Sequence, residues 1–185
     1  MHAVSTITFR IVLFLFFSVA GSGVAYAAEN IYADAAGTNW SITGWSATSS
    51  AQTTPVHQGT QSLAVQYTGE WGGFLFERVD GANTPIPITP TEFTHVTFAV
   101  NAGATVSPNL ASVVVHLNNG SDSKPLVNYL PGNSWAANQW QVVRIPLAEL
   151  NSANANFNRV VIQSQVQTVG YGFSIDSVSL DNGST

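Results

Sequence analysis

The stretch Ser62-Leu63-Ala64-Val65-Gln66-Tyr67-Thr68 decides the fold class. Leu63, Val65 and Tyr67 alternate with Ala64, Gln66 and Thr68, the period of two that places one set of side chains on the buried face of a strand. Three other stretches repeat the pattern. In 93–100, Val96, Phe98 and Val100 oppose His95, Thr97 and Ala99; in 111–117, Val113, Val115 and Leu117 oppose Val114 and His116; in 159–165, Val160 and Ile162 oppose Val161, Gln163 and Gln165. Gly, Pro, Asn and Asp bound these runs and further strand-like runs at 30–34, 41–47, 73–79, 126–130, 140–145 and 171–180. About ten short strands without a convincing helix predict an all-β fold, an antiparallel β-sandwich of the jelly-roll type. The Pro-rich segment 81–90 reads as a loop, and no internal repeat or second domain is visible.

The beginning of the chain reads differently. Arg10 precedes the apolar run Ile11-Val12-Leu13-Phe14-Leu15-Phe16-Phe17, followed by small residues and Ala25-Tyr26-Ala27. That order of basic, apolar and small residues predicts a secretory signal peptide over 1–27, too short in its apolar run to span a bilayer. A single domain over 28–185 follows, secreted to the extracellular space or a periplasm. Without Arg10 the charge is 4 basic residues minus 10 acidic ones, or −6. No basic run exists, which argues against nucleic acid and, after signal cleavage, against a membrane surface as partner. Cysteine is absent, so disulfides, thiol chemistry and zinc–thiolate sites are excluded.

Several ordered motifs carry a resemblance. They are Ile31-Tyr32-Ala33-Asp34, His57-Gln58-Gly59-Thr60-Gln61-Ser62-Leu63, Trp71-Gly72-Gly73-Phe74, Trp140-Gln141-Val142-Val143-Arg144-Ile145-Pro146-Leu147 and the closing Ile175-Asp176-Ser177-Val178-Ser179-Leu180. In this order they resemble the non-catalytic carbohydrate-binding modules with a β-sandwich jelly roll, over nearly the whole of 28–185. The resemblance implies polysaccharide or oligosaccharide binding without catalysis. It also implies a structural calcium ion near the paired terminal strands, with Asp34 and Asp176 as its carboxylates and Glu29 and Asp181 as lesser candidates. Calcium needs six to eight oxygens, so carbonyls would supply most of the shell.

Five tryptophans are the candidate sugar-binding groups, since an exposed ring can stack on the C–H face of a pyranose. Trp71 lies between Gly69 and Gly72-Gly73, which leave the ring uncovered; Trp135 follows the turn Pro131-Gly132-Asn133; Trp40 and Trp45 straddle a short run, with Trp45 the one expected at the surface. Trp140 reads as an edge-of-core residue. Gln66, His95, His116, Gln163 and Arg144 are the expected hydrogen-bonding partners of sugar hydroxyls. Two other readings stay open. A jelly-roll glycosidase or lyase would need two carboxylates facing one sugar, and Glu70, Glu77, Asp80, Glu92, Asp122 and Glu149 form no recognisable pair. A structural or adhesive domain would use the same rings in its core or at a protein interface.

Overall fold

The computed structural model describes residues 28–118, 120 and 122–183. The expected signal peptide, 1–27, lies outside them. The strands are β1 (Glu29–Ala33), β2 (Ala35–Ala36), β3 (Trp40–Trp45), β4 (Ala47–Gln52), β5 (Ser62–Tyr67), β6 (Gly73–Arg78), β7 (His95–Asn101), β8 (Val113–Leu117), β9 (Lys124–Pro125), β10 (Gln141–Pro146), β11 (Arg159–Ser164) and β12 (Tyr171–Asp181). Among the described residues, helix is confined to a single turn, α1 (Leu147–Leu150), and to short 3-10 turns.

All strand pairs are antiparallel and form two sheets. The larger sheet runs β10-β7-β12-β1-β2, and β5 pairs with β12 on one side and β4 on the other. The smaller sheet runs β3-β6-β11-β8-β9. The long β12 organises the larger sheet. Its first half meets β5 in the register Phe173 opposite Val65, and its second half meets β1, while β7 lines its other edge. A bulge at Ser177, whose φ is 54°, separates the halves.

The alternation read from the sequence sorts inward from outward residues in both sheets. Leu63, Val65, Tyr67, Val96, Phe98, Val100, Val113, Val115, Leu117, Val160 and Ile162 all enter one hydrophobic core with Phe74, Phe76, Phe173 and Ile175. Strand assignments differ at 126–130, at β4 and at the two-residue strands β2 and β9. The stretch 126–130 is a 3-10 turn, Leu126–Tyr129, that drops Leu126 into the core rather than a strand. The β4 strand, Ala-Thr-Ser-Ser-Ala-Gln, has no large apolar residue to reveal it, because it is an edge strand held by its ladder to β5. No helix among the described residues is long and apolar enough to cross a membrane.

Candidate functional site

On the outer face of the smaller sheet the register places side chains in three rows; Leu75, Val161, His116 and Val114 are buried there, and the large exposed groups lie at the Trp45 end. Trp45, Gly73, Gln163 and Val114 form one row, Thr43, Leu75, Val161 and His116 the next, and Ser41, Glu77 and Arg159 the third. Trp45 ends β3 on this face with 43 % of its surface exposed, and Trp71, in the turn before β6, is 45 % exposed. A Cβ built on Gly73 would collide with the six-membered ring of Trp45, so the indole approaches the neighbouring strand at a point where only glycine leaves room for it.

Backbone geometry fixes Trp71. Its φ is 53°, in the left-handed region that non-glycine residues enter at a cost. The surroundings hold it there. The Ser46 carbonyl, at the corner between β3 and β4, accepts the N–H groups of Thr68 (2.9 Å) and Gly69 (3.0 Å). Trp71 donates its own N–H to the Val166 carbonyl (3.2 Å). Its carbonyl accepts the Trp45 indole N–H (2.9 Å) and the Gln163 side-chain amide (3.2 Å). The two exposed rings are therefore tied through one carbonyl oxygen.

Gln163 is held in turn. Its Oε1 lies 3.2 Å from His116 Nε2 and accepts the Gln165 amide at 3.3 Å. An acceptor oxygen facing Nε2 requires the imidazole proton on that nitrogen. His116 Nδ1 is then a buried lone pair without a hydrogen-bond partner, beneath Gly120. Burial pushes the His116 pKa below its ordinary value, against the smaller upward pull of the Gln163 bond and the nearby Leu117 backbone. The relay of His116, Gln163, Trp71 carbonyl and Trp45 is a fixed polar scaffold under an aromatic surface. Gln163 and His116 thus serve the rings from below.

The third row is polar. Glu77 Oε1 accepts Arg159 Nε (2.7 Å) and the Asn158 amide (3.2 Å), and it lies 2.7 Å from Arg159 Nη2. At about 3.3 Å per residue this ion pair stands about 13 Å along the strands from the Trp45 row. Sequence reading did not single out Arg159 as a site residue. The signal was present: counting in twos from Gln163 reaches Val161 and then Arg159 on the same face.

The other expected site residues lie elsewhere. Trp135 packs its ring on Phe173, with centroids 5.7 Å apart, and donates its indole N–H to the Leu110 carbonyl at 3.1 Å; it borders the core. Gln66, His95 and Arg144 project from the outer face of the larger sheet. Arg144 pairs with Asp181 at 2.9 Å, and His95 Nδ1 is 2.8 Å from Thr94 Oγ1. Among the expected residues, the structure brings together Trp45, Trp71, His116 and Gln163. Trp40 is core and donates its indole N–H to Glu29 at 2.8 Å. Trp140 starts the β10 outer face, where the His57 ring covers it at 5.6 Å between centroids; Val143 and Ile145 are the inward set of that strand.

The carboxylates of Asp34 and Asp176 are engaged by backbone N–H groups. Asp34 Oδ1 accepts the N–H groups of Thr60 (2.6 Å) and Gln61 (2.7 Å). Asp176 Oδ2 accepts those of His57 (2.9 Å) and Gln58 (3.1 Å), and its Oδ1 accepts that of Ser177 (2.6 Å). Calcium requires oxygens converging on it. Here N–H hydrogens point at the carboxylates, and among the described residues no cluster of three His, Asp or Glu side chains forms.

No protein-family model matches the sequence, and no curated protein matches it either. Solved structures do match in fold. A family 11 carbohydrate-binding module from Clostridium thermocellum, in complex with a β-1,3-1,4-mixed-linked tetrasaccharide, superposes with a TM-score of 0.52 at 14 % identity, covering 87 % of this chain and 98 % of that one. A family 29 carbohydrate-binding module variant complexed with cellulohexaose gives 0.55 at 13 % identity, covering 87 % and 94 %. A second family 29 variant, complexed with mannohexaose, gives 0.52 at 12 % identity, covering 85 % and 92 %. Over nearly the whole of its described length, then, this chain has the two-sheet antiparallel β-sandwich fold of these carbohydrate-binding modules.

Proposed function

We propose that this chain is a secreted, non-catalytic module that binds a polysaccharide across the outer face of the smaller sheet. The observation that carries the reading is the locked pair Trp45 and Trp71, two exposed indoles joined through one carbonyl at the edge of the smaller sheet's outer face. Such preorganisation lowers the ordering cost of binding. A pyranose ring stacks on the indoles, and the chain extends along the strands toward Arg159 and Glu77, whose polar edges meet hydroxyls. The fold match to modules solved with β-glucan and manno-oligosaccharides supports a neutral glycan as ligand. The charge balance supports it too, since no basic patch awaits an anionic polymer. Glu77 directs Oε1 to Arg159 and Asn158, an arrangement suited to holding a guanidinium in place rather than to relaying protons.

The test is retention on a panel of soluble polysaccharides in native affinity gels, with tryptophan fluorescence followed during titration. Binding to at least one neutral glucan or mannan, lost in Trp45→Ala and in Trp71→Ala, is expected. Retention unchanged in both variants would refute the placement of the site. Reducing-sugar release by the purified protein would refute the non-catalytic reading.

A further inference from the structure

We infer that Asp34 and Asp176 form a cation-free latch, which pins the 53–61 segment across the outer face of the larger sheet. Four strap amides, those of His57, Gln58, Thr60 and Gln61, are each bonded to one of the two carboxylates. Between the two pairs sits Gly59, with a φ of 77°; a Cβ there would run into both Asp34 carboxylate oxygens. Only glycine lets the strap pass this close, and the passage fills the space beside Asp34 with backbone. Asp176 is fully buried, and its two oxygens meet three N–H groups. Hydrogen bonds of this kind satisfy a buried carboxylate directly. A cation in the same place would face the positive ends of the same N–H dipoles.

The latch has a structural consequence. Ser62 Oγ donates to the Pro55 carbonyl at 2.6 Å, and the Gln52 amide donates to Ser62 Oγ at 3.1 Å and to Ser174 Oγ at 2.7 Å. From there the strap passes over Asp176 on β12 and lays the His57 ring on Trp140 beside β10. Ser62, Ala99 and Asp176, all on an outward-facing side of the sheet, are buried. The strap covers Trp140 and the Asp176 end of this face, while Gln66 and Val142 on the same face stay exposed.

The experiment compares melting of the mature protein after exhaustive chelation, with and without millimolar calcium, and maps amide hydrogen exchange in wild type, Asp34→Asn and Asp176→Asn. An ion bound well above its dissociation constant would raise the melting temperature by about 5–10 °C. The latch predicts a shift below about 1 °C. It also predicts slow exchange at the four strap amides in wild type. In Asp34→Asn, which keeps a side chain at ease with positive φ, exchange at Thr60 and Gln61 should quicken about tenfold, since a neutral acceptor holds an amide less tightly. A melting temperature that falls by several degrees on chelation and returns with calcium overturns the inference. Unchanged exchange at all four amides in Asp34→Asn overturns it as well, even if Asp176→Asn does not fold.

Discussion

Replacing Trp71 separates the energetics of the ring from those of its backbone. About 45 % of the residue is exposed. Taking about 250 Å² for a tryptophan, that leaves about 110 Å² available to a sugar. Covering half to all of it at about 25 cal/mol per Å² is worth about 1.4–2.8 kcal/mol, which weakens binding about 10- to 100-fold when the ring is removed. Stability should respond differently. Trp71→Ala keeps a non-glycine residue at a φ of 53° and loses the contacts of the buried half of the ring. Trp71→Gly loses the same contacts but relieves a left-handed strain of about 1–2 kcal/mol. With about 2–4 °C per kcal/mol for a domain of this size, the glycine variant should melt several degrees above the alanine variant. Both should bind equally weakly. Isothermal titration with a neutral hexasaccharide and differential scanning calorimetry on the three proteins provide the readouts. The reasoning fails if Trp71→Ala binds within about twofold of wild type, or if binding in the two variants tracks their melting temperatures.

Other perturbations probe the scaffold beneath the rings. Gly73→Ala drives a methyl into the Trp45 ring and should displace it, lowering both glycan retention and the melting temperature, whereas Gly81→Ala, where no neighbour lies within 4 Å, should change neither. Gln163→Leu leaves the His116 Nε2 proton without its acceptor and removes one of two donors to the Trp71 carbonyl; a loss of about 1–3 kcal/mol is expected by urea denaturation, together with weaker binding. Because burial depresses the folded His116 pKa, the unfolded chain takes up a proton first as pH falls through 6.5. Stability should decline from that point down to the folded pKa, and His116→Gln should remove that segment of the melting-temperature profile. Asp34, whose pKa the Gln61 and Thr60 amides lower, contributes stability that is complete above the ordinary carboxylate value and lost as pH falls through its depressed folded value; Asp34→Asn should flatten the acid limb there.

The sequence conveyed whatever alternates strongly. Strands that bury Leu, Val, Ile or Phe on one side announced their faces, and each inward residue read from those patterns lies in the core. Strands held by their ladder alone did not: β4 is built of Ala, Thr, Ser and Gln, and nothing local separates it from a loop. Conversely, the turn Leu126–Tyr129 has strand-like composition but serves to insert Leu126. The site was legible in part for a similar reason. Trp71 is exposed, as its flanking glycines suggested, but those glycines stand where Ser46 and Trp45 pass close to the backbone. Nothing in the local sequence around Gln66, His95 or Arg144 says which of two sheets they decorate, because parity along a strand assigns inside and outside but not the partner sheet. Trp135 shows the same limit, since the turn preceding it exposes backbone while the ring turns back onto Phe173.

The sandwich offers two outer faces, and the chain treats them oppositely. On the larger sheet, the 53–61 strap spends its backbone amides on Asp34 and Asp176 and its His57 ring on Trp140, so an aromatic group that faces outward is covered from within. On the smaller sheet, the indole N–H, the Gln163 amide and the His116 imidazole bond to one carbonyl or to each other, the first two at the exposed surface. Polar groups so consumed cannot compete for water or ligand, and what they leave uppermost is the apolar face of two rings. A sheet built to bury tryptophan would have placed side chains over Trp45 from the neighbouring strand. Here that strand supplies Gly73, which leaves room for the ring to approach, and 43 % of Trp45 stays exposed. Two exposed indoles held in one hydrogen-bonded arrangement are the feature on which the proposed binding role rests, and it is this pair that the Trp71 variants test.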